Sequence, residues 1–297
     1  MRPFRPRAPF RPRPGARSRA ATALLGAAAL TALCTAAASA DTQGWVQTGS
    51  SSVDSLSGGE GLATRDDGSL LYRGLGTIPL DLRVQGWNHV GDPDISRGYV
   101  FDAYQGPDDA TSKMFAVTTP AGTRYTYVHP LDTGEKLNNS FATVSADSQW
   151  MVSGEWGDQD SLQLFPAPLL NPATPATGGT LPQAGRITLD HPVRDIQGCD
   201  FVTDTQLICS SDDAGTDLWP DQRPLLQVDL PHAPDGTPVT AHVTDLGPLP
   251  QKSACTGTFE TEGVDYDTRS GTLRAQVVPP SVCKVATTVY EYRRAGS

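Results

Sequence analysis

The sequence predicts an all-β chain: a single β-propeller of five blades, or alternatively six, with mostly short antiparallel strands and two disulfides. Three observations carry that expectation. Short alternating segments separated by Gly, Pro, Asn and Asp turns replace helical periodicity almost everywhere. A pattern of polar residue, glycine, acid-rich turn and apolar strand recurs along the chain. Four cysteines stand in its second half.

The first forty residues are set apart from that pattern. "MRPFRPRAPFRPRPGARSRA" is arginine-rich without an acid, and the small, apolar stretch after it ends in Ala38-Ser39-Ala40. A basic region, an apolar region and an A-x-A site are the parts of a secretory signal peptide, so cleavage is expected after Ala40 and the protein is expected outside the cell. After Ala40 no run approaches the roughly 18 apolar residues of a membrane span, and no membrane association is expected of the mature chain. Residues 41–58 read as a flexible N-terminal segment and 59–294 as the propeller. Seven of the 23 basic residues precede Ala40 and all 33 acids follow it, so the chain from Asp41 carries a net charge of −17 with histidine neutral. Such a surface repels nucleic acid and anionic lipid and attracts cations. A monomer with an extracellular ligand or protein partner is expected.

The repeat supplies the blades. "NHVGDPDISRGYVFDAYQ", "DIQGCDFVTDTQLICSS" and "ETEGVDYDTRSGTLRAQV" share the pattern, "ATVSADSQWMVSGEW" is a looser copy and "GLATRDDGSLLYRG" a fifth. The later copies start about 50 to 65 residues apart, the length of a four-stranded propeller blade. Blades are expected over 59–83, 84–135, 136–182, 183–245 and 246–294. The first is too short to be complete and is expected to be finished by strands from the other terminus. The tract "PAPLLNPATPATGGTLPQAG" reads as a long inter-blade loop, with a domain linker as the alternative.

An even number of cysteines in an exported chain reads as disulfides. Cys199, Cys209, Cys255 and Cys283 allow three connectivities. A turn at Thr203-Asp204-Thr205 would set Phe201 opposite Leu207 and Cys199 opposite Cys209, which favours Cys199–Cys209 and leaves Cys255–Cys283. The C-x-x-C of a redox pair and the short spacings of a zinc site are absent.

The segments "ETEGVDYDTRSGTL" and "DIQGCDF" resemble blade openings of secreted bacterial β-propellers. The chain is similar to secreted actinobacterial, streptomycete-like propeller proteins of unassigned function, and more distantly to lactonase-type and phytase-like esterase propellers. The lactonase resemblance implies a calcium ion on the propeller axis that holds substrate, with Asp92 and Glu262 the residues that match its ligands in type.

Sequence motifs for an activity are sparse: G-x-S-x-G, H-E-x-x-H and the phosphate-binding P-loop are all missing. Because the innermost strand of each blade lines the channel, equivalent positions converge on the axis. His89 or Asp92, Gln197 and Glu262, with Ser145 or Asp147 from the looser copy, are therefore candidates for one channel mouth, where oxygen ligands would suit calcium. Asp92-x-Asp94-x-Ser96-x-Gly98 and Asp265-x-Asp267-x-Arg269-x-Gly271 resemble the start of a calcium loop but read better as β-turns. Trp150 and Trp156 would share a face if one strand held both, and Trp87 and Trp219 are the surface candidates. His129, His191, His232 and His242 read as structural or exposed. The leading expectation is a non-catalytic binding propeller. A calcium-dependent hydrolase of a lactone, ester or phosphoester, and an interaction or inhibitor protein for secreted enzymes, are the alternatives.

Overall fold

The computed structural model describes residues 42–137 and 141–296, so the expected signal peptide lies outside the described residues. The chain enters through β1 (Trp45–Asp54) and one turn of helix, Ser55–Gly58. Blade one is the hairpin β2 (Gly61–Thr64) and β3 (Leu70–Arg73). Blade two comprises β4 (His89–Val90), β5 (Asp94–Ser96), β6 (Tyr99–Gln105), β7 (Ser112–Thr118) and β8 (Arg124–Pro130). Blade three runs β9 (Thr143–Val144), β10 (Trp150–Ser153) and β11 (Asp158–Pro166). After the short β12 (Gly179–Thr180), it ends with β13 (Gly185–Arg194). Blade four is β14 (Ile196–Thr203), β15 (Gln206–Ser211), β16 (Pro224–Asp229) and β17 (Val239–Pro248). Blade five is β18 (Glu260–Asp267), β19 (Thr272–Val278) and β20 (Ala286–Arg294). The inner strands follow one another around a ring, β2 beside β5, β5 beside β9, β9 beside β14, β14 beside β18 and β18 beside β2. That cyclic order is a five-bladed propeller.

Two boundaries and one pairing differ from the sequence reading. Residues 41–58 are not a flexible lead-in, because β1 pairs antiparallel with β20 along almost its whole length and becomes the fourth strand of blade five. The N-terminus therefore completes the last blade, and blade one stays two-stranded. The strand at 185–194 belongs to blade three, where it pairs with β11, and blade four begins at Ile196. Not all pairs are antiparallel: β13 and β17 pair in parallel at the rim, joining blades three and four into one eight-stranded sheet.

The Pro-rich tract is a loop within the propeller. Its β12 pairs in parallel with β8, and Leu169, Leu170 and Leu181 pack on Phe115, Tyr127 and Phe165 between blades two and three. Both disulfides form as expected, with Cys199 directly opposite Cys209 in the hairpin and Cys255 tied to Cys283. Among the described residues no helix is long and apolar enough to cross a membrane.

Between blades two and three lies a buried ionic knot. Lys113 on β7 is fully buried and sits 2.9 Å from Glu135, whose other oxygen meets His129 at 2.9 Å. Gln163 on β11 donates to the same carboxylate at 2.7 Å. Burial opposes ionisation of Glu135, but the His129 bond and the Lys113 charge outweigh it and hold the carboxyl far below its ordinary value.

Candidate functional site

The recurrent glycines explain how the axis is built. Gly61, Gly198 and Gly263 from blades one, four and five surround the Asp92 side chain so closely that a β-carbon on any of them would lie 2.6 Å or less from one of its carboxylate oxygens. Into that space Asp92 brings both oxygens. Oδ1 accepts the Leu62 amide and Oδ2 the Val264 amide, each at 2.9 Å, while its backbone carbonyl accepts from Ala142 at 3.0 Å. One aspartate thus links blade two to blades one, five and three.

Three more aspartates repeat the device. Asp94 accepts the Val144 amide at 2.6 Å, Asp200 the Tyr266 amide at 2.6 Å, and Asp265 the Thr64 amide at 2.7 Å. Each joins the inner strand of one blade to that of the next, and Arg274 adds a 2.9 Å ion pair to Asp265. Burial raises all four above the ordinary carboxyl range, and the backbone donors pull in the opposite direction. These acids hold the ring together. Asp92, expected as a ligand of an axial calcium, is only 1% exposed and is not among the residues lining the mouth cavity.

The residue just before each glycine behaves differently. Alternation along a strand turns Glu60, Gln197 and Glu262 away from the Asp92 plug and into a cavity of about 730 Å³ at one mouth of the channel. His89, Asp212, Glu260, Lys136 and Trp156 also line it. Glu260 shares the face of Glu262 two residues along β18. Neither carboxylate has a hydrogen-bond partner among the described residues, and Glu60 has only His89, 3.5 Å away. Asp212, in contrast, is bound by Arg223 and the Thr261 amide, both at 2.9 Å. The Lys136 amine turns aside to the carbonyl of Asp158.

Burial and the neighbouring Glu260 push Glu60 up to about 8. Glu262 lies well above its ordinary value through burial and the charges of Glu60 and Asp212. Burial lowers His89. Both shifts disfavour the charged forms of the two groups that meet at the 3.5 Å Glu60–His89 contact. Of the mouth's carboxyl groups Asp212 is paired with Arg223, while Glu60, Glu260 and Glu262 have no lysine or arginine partner among the described residues.

His89, Gln197 and Glu262 thus share this mouth. Asp147 does not: it lies on a turn with its carboxylate accepting from Ser145 and the Gln149 amide, and its neighbours Ser145 and Ala146 line the opposite mouth. Glu60 precedes Gly61 as Glu262 precedes Gly263, but the copy "GLATRDDGSLLYRG" starts at the glycine and does not include it. The two calcium-loop look-alikes are hairpin turns, Ser96–Tyr99 and Asp267–Thr272, with Gly98 and Gly271 at φ 77° and 67°. Trp156 stands beyond the end of β10, so it does not share a strand face with Trp150. It is the exposed tryptophan of the mouth, at 48%, whereas Trp87 and Trp219 pack against core clusters.

The fit to calcium can be tested geometrically. An ion held at 2.3–2.6 Å brings its ligand oxygens within about 5 Å of one another. Among the described residues, the only trio of such groups within 4.8 Å is His129, Asp132 and Glu135. There Glu135 is already occupied by Lys113, His129 and Gln163. Among the described residues no three of the mouth carboxylates converge to that extent.

No protein-family model and no curated protein matches the chain. Among solved structures it is similar to the native arabinanase of Bacillus subtilis, with 10% identity over 84% of this chain and 92% of that one and a TM-score of 0.42. It is also similar to a gluconolactonase of Xanthomonas campestris, with 12% identity over 77% of this chain and 64% of that one and a TM-score of 0.36. The β-propeller domain of a protease of Pyrococcus furiosus matches at 9% identity over 65% of this chain and 50% of that one, with a TM-score of 0.32. The chain spans less than two thirds of the last two. Such low identities concern architecture alone, and the propeller itself is established by the cyclic order of its inner strands.

Proposed function

We propose that this is a secreted, non-catalytic propeller that binds a positively charged organic ligand at the channel mouth. The observation that carries the reading is the contrast between two sets of acids at the axis. Asp92, Asp94, Asp200 and Asp265 each accept a backbone amide from another blade, whereas Glu260 and Glu262 have no hydrogen-bond partner among the described residues and line the mouth cavity. Glu260 is exposed and Glu262 half-buried, and acceptors without protein partners beside a cavity are free to take the N–H donors and positive charge of a ligand. A spread of carboxylates around a cavity suits an ammonium or guanidinium group better than a bare divalent ion, which needs convergent oxygens.

Titration calorimetry of residues 41–297 with spermine is the direct test. Binding in the micromolar range, weakened roughly tenfold by Glu262→Gln, is expected. Heats indistinguishable from dilution would sink the reading. A thermal scan with millimolar Ca²⁺ and with EDTA is expected to show no shift in either direction.

One observation favours a second reading, that of a hydrolase. Glu60, with its value raised to about 8, keeps a proton at neutral pH beside His89 and so has the character of a general acid. That reading needs turnover of a lactone, a nitrophenyl ester or a nitrophenyl phosphate, with or without Ca²⁺, that disappears in Glu60→Gln. Rates equal to buffer in all three assays would eliminate it.

A further inference from the structure

The acidic mouth does not end at its carboxylates. Glu60, Glu260 and Glu262 also form one wall of a second concavity, a groove of about 520 Å³ whose other residues include Leu56, Leu75, Val278 and Val285. Leu56 is 63% exposed and Val285 68%. Val282, on the same turn as Val285, is 81% exposed. That turn, Ser281–Val285, carries Cys283, and the Cys255–Cys283 bond ties it to the loop before β18. Large aliphatic side chains exposed on a covalently held turn mark an apolar lip that keeps its shape without a ligand. Lys284 is the groove's only cation, and Asp54, which also lines it, is engaged in capping Ser57.

We infer that the mouth and the groove are one extended site for a peptide segment in which a lysine or arginine is flanked by aliphatic residues. Charge complementarity chooses the basic side chain, which enters the carboxylate cavity. The aliphatic neighbours lie over Leu56, Leu75 and Val285. The two adjoining spaces, about 730 and 520 Å³, hold more than the roughly 300–1,000 Å³ of a usual small-molecule pocket, which favours a chain of several residues over a simple amine. This inference rests on the cation-binding reading of the mouth and adds the second half of the ligand.

The test uses residues 41–297 and fluorescein-labelled peptides in an anisotropy titration. The parent probe is Leu-Arg-Leu-Lys-Leu. One control replaces every leucine by serine, and the other replaces the two basic residues by glutamine. The parent is expected to bind roughly tenfold tighter than either control. Leu56→Ser and Val285→Ser, both at exposed positions that spare the core, are expected to reduce parent binding to the level of the serine control while leaving that control unchanged. Glu262→Gln is expected to weaken both basic peptides. Equal binding of the parent and the serine control, or groove variants without effect, would overturn the extended site and leave the mouth reading intact. Binding of spermine but of no peptide has the same meaning. Failure of spermine and of every peptide overturns both readings.

Discussion

At the residue scale, the mouth acids carry a measurable stability cost. The unfolded chain ionises Glu60 near 4.5, whereas the native carboxyl holds its proton up to about 8. Between those values the native state binds more protons, so the contribution of Glu60 to stability falls as the pH rises and the penalty is complete above pH 8. Glu60→Gln is therefore expected to stabilise the protein by roughly 1–3 kcal/mol at pH 8.5 and by little at pH 4, read from urea midpoints at the two pH values. Ligand affinity should run the other way. Ionisation of Glu60 adds negative charge to the cavity, so methylguanidinium, whose charge is constant over this range, is expected to bind several-fold tighter at pH 8.5 than at pH 6. An affinity independent of pH would place the ligand elsewhere. Gly263 provides the contrast to these titrating groups. A methyl there would lie 2.2 Å from Asp92 Oδ1, so Gly263→Ala is expected to cost roughly 1–3 kcal/mol or more. At Gly122, where no atom lies within 4 Å, alanine meets only the strain of φ +85°.

At the element scale, the contact between blades two and three depends on an ionic knot that the sequence did not single out. Lys113 occupies one place in the apolar-looking strand "KMFAVTT", and Glu135 lies in a turn; nothing in either segment points to the other. Removing only the lysine leaves a buried carboxylate without its main positive partner. Lys113→Met is expected to destabilise the fold by roughly 3–5 kcal/mol, and Lys113→Met with Glu135→Gln by clearly less, measured by denaturant titration. The hairpin disulfide was legible because opposition of Cys199 and Cys209 follows from a local turn, and the register pairs those residues directly. The strand at 185–194 was assigned to the wrong blade because its partner β11 precedes a long loop, and alternation along a strand does not name the neighbouring strand.

At the scale of the whole molecule, closure of the ring depends on the first described strand. β1 covers the outer edge of blade five, so deleting residues 41–54 would expose β20 as a free edge. Such a truncation is expected to lose a single cooperative melt and to aggregate, as followed by calorimetry and light scattering. A truncated protein with the parent melting temperature would contradict closure by β1. The mouth and groove also exist only at this scale. Glu60 and Glu262 stand some two hundred residues apart in the chain and share one cavity because blades one and five are neighbours across the closure.

The sequence by itself determined the all-β class, the blade repeat, the opposition of Cys199 and Cys209 and the glycine-marked positions that face the axis. All of these depend on spacing along one segment, where strand alternation and turn chemistry act locally. Only the tertiary structure decided which axial acids are spent and which are free. Asp92 and Glu262 look alike in their repeats, each an acid beside a glycine. Asp92 follows its glycine and points into the plug, where two amides from other blades meet it, while Glu262 precedes its glycine and points the opposite way, into the cavity. Amide donors arriving from other blades leave no trace in either segment, so the division between structural and available carboxylates becomes visible only when the ring is closed.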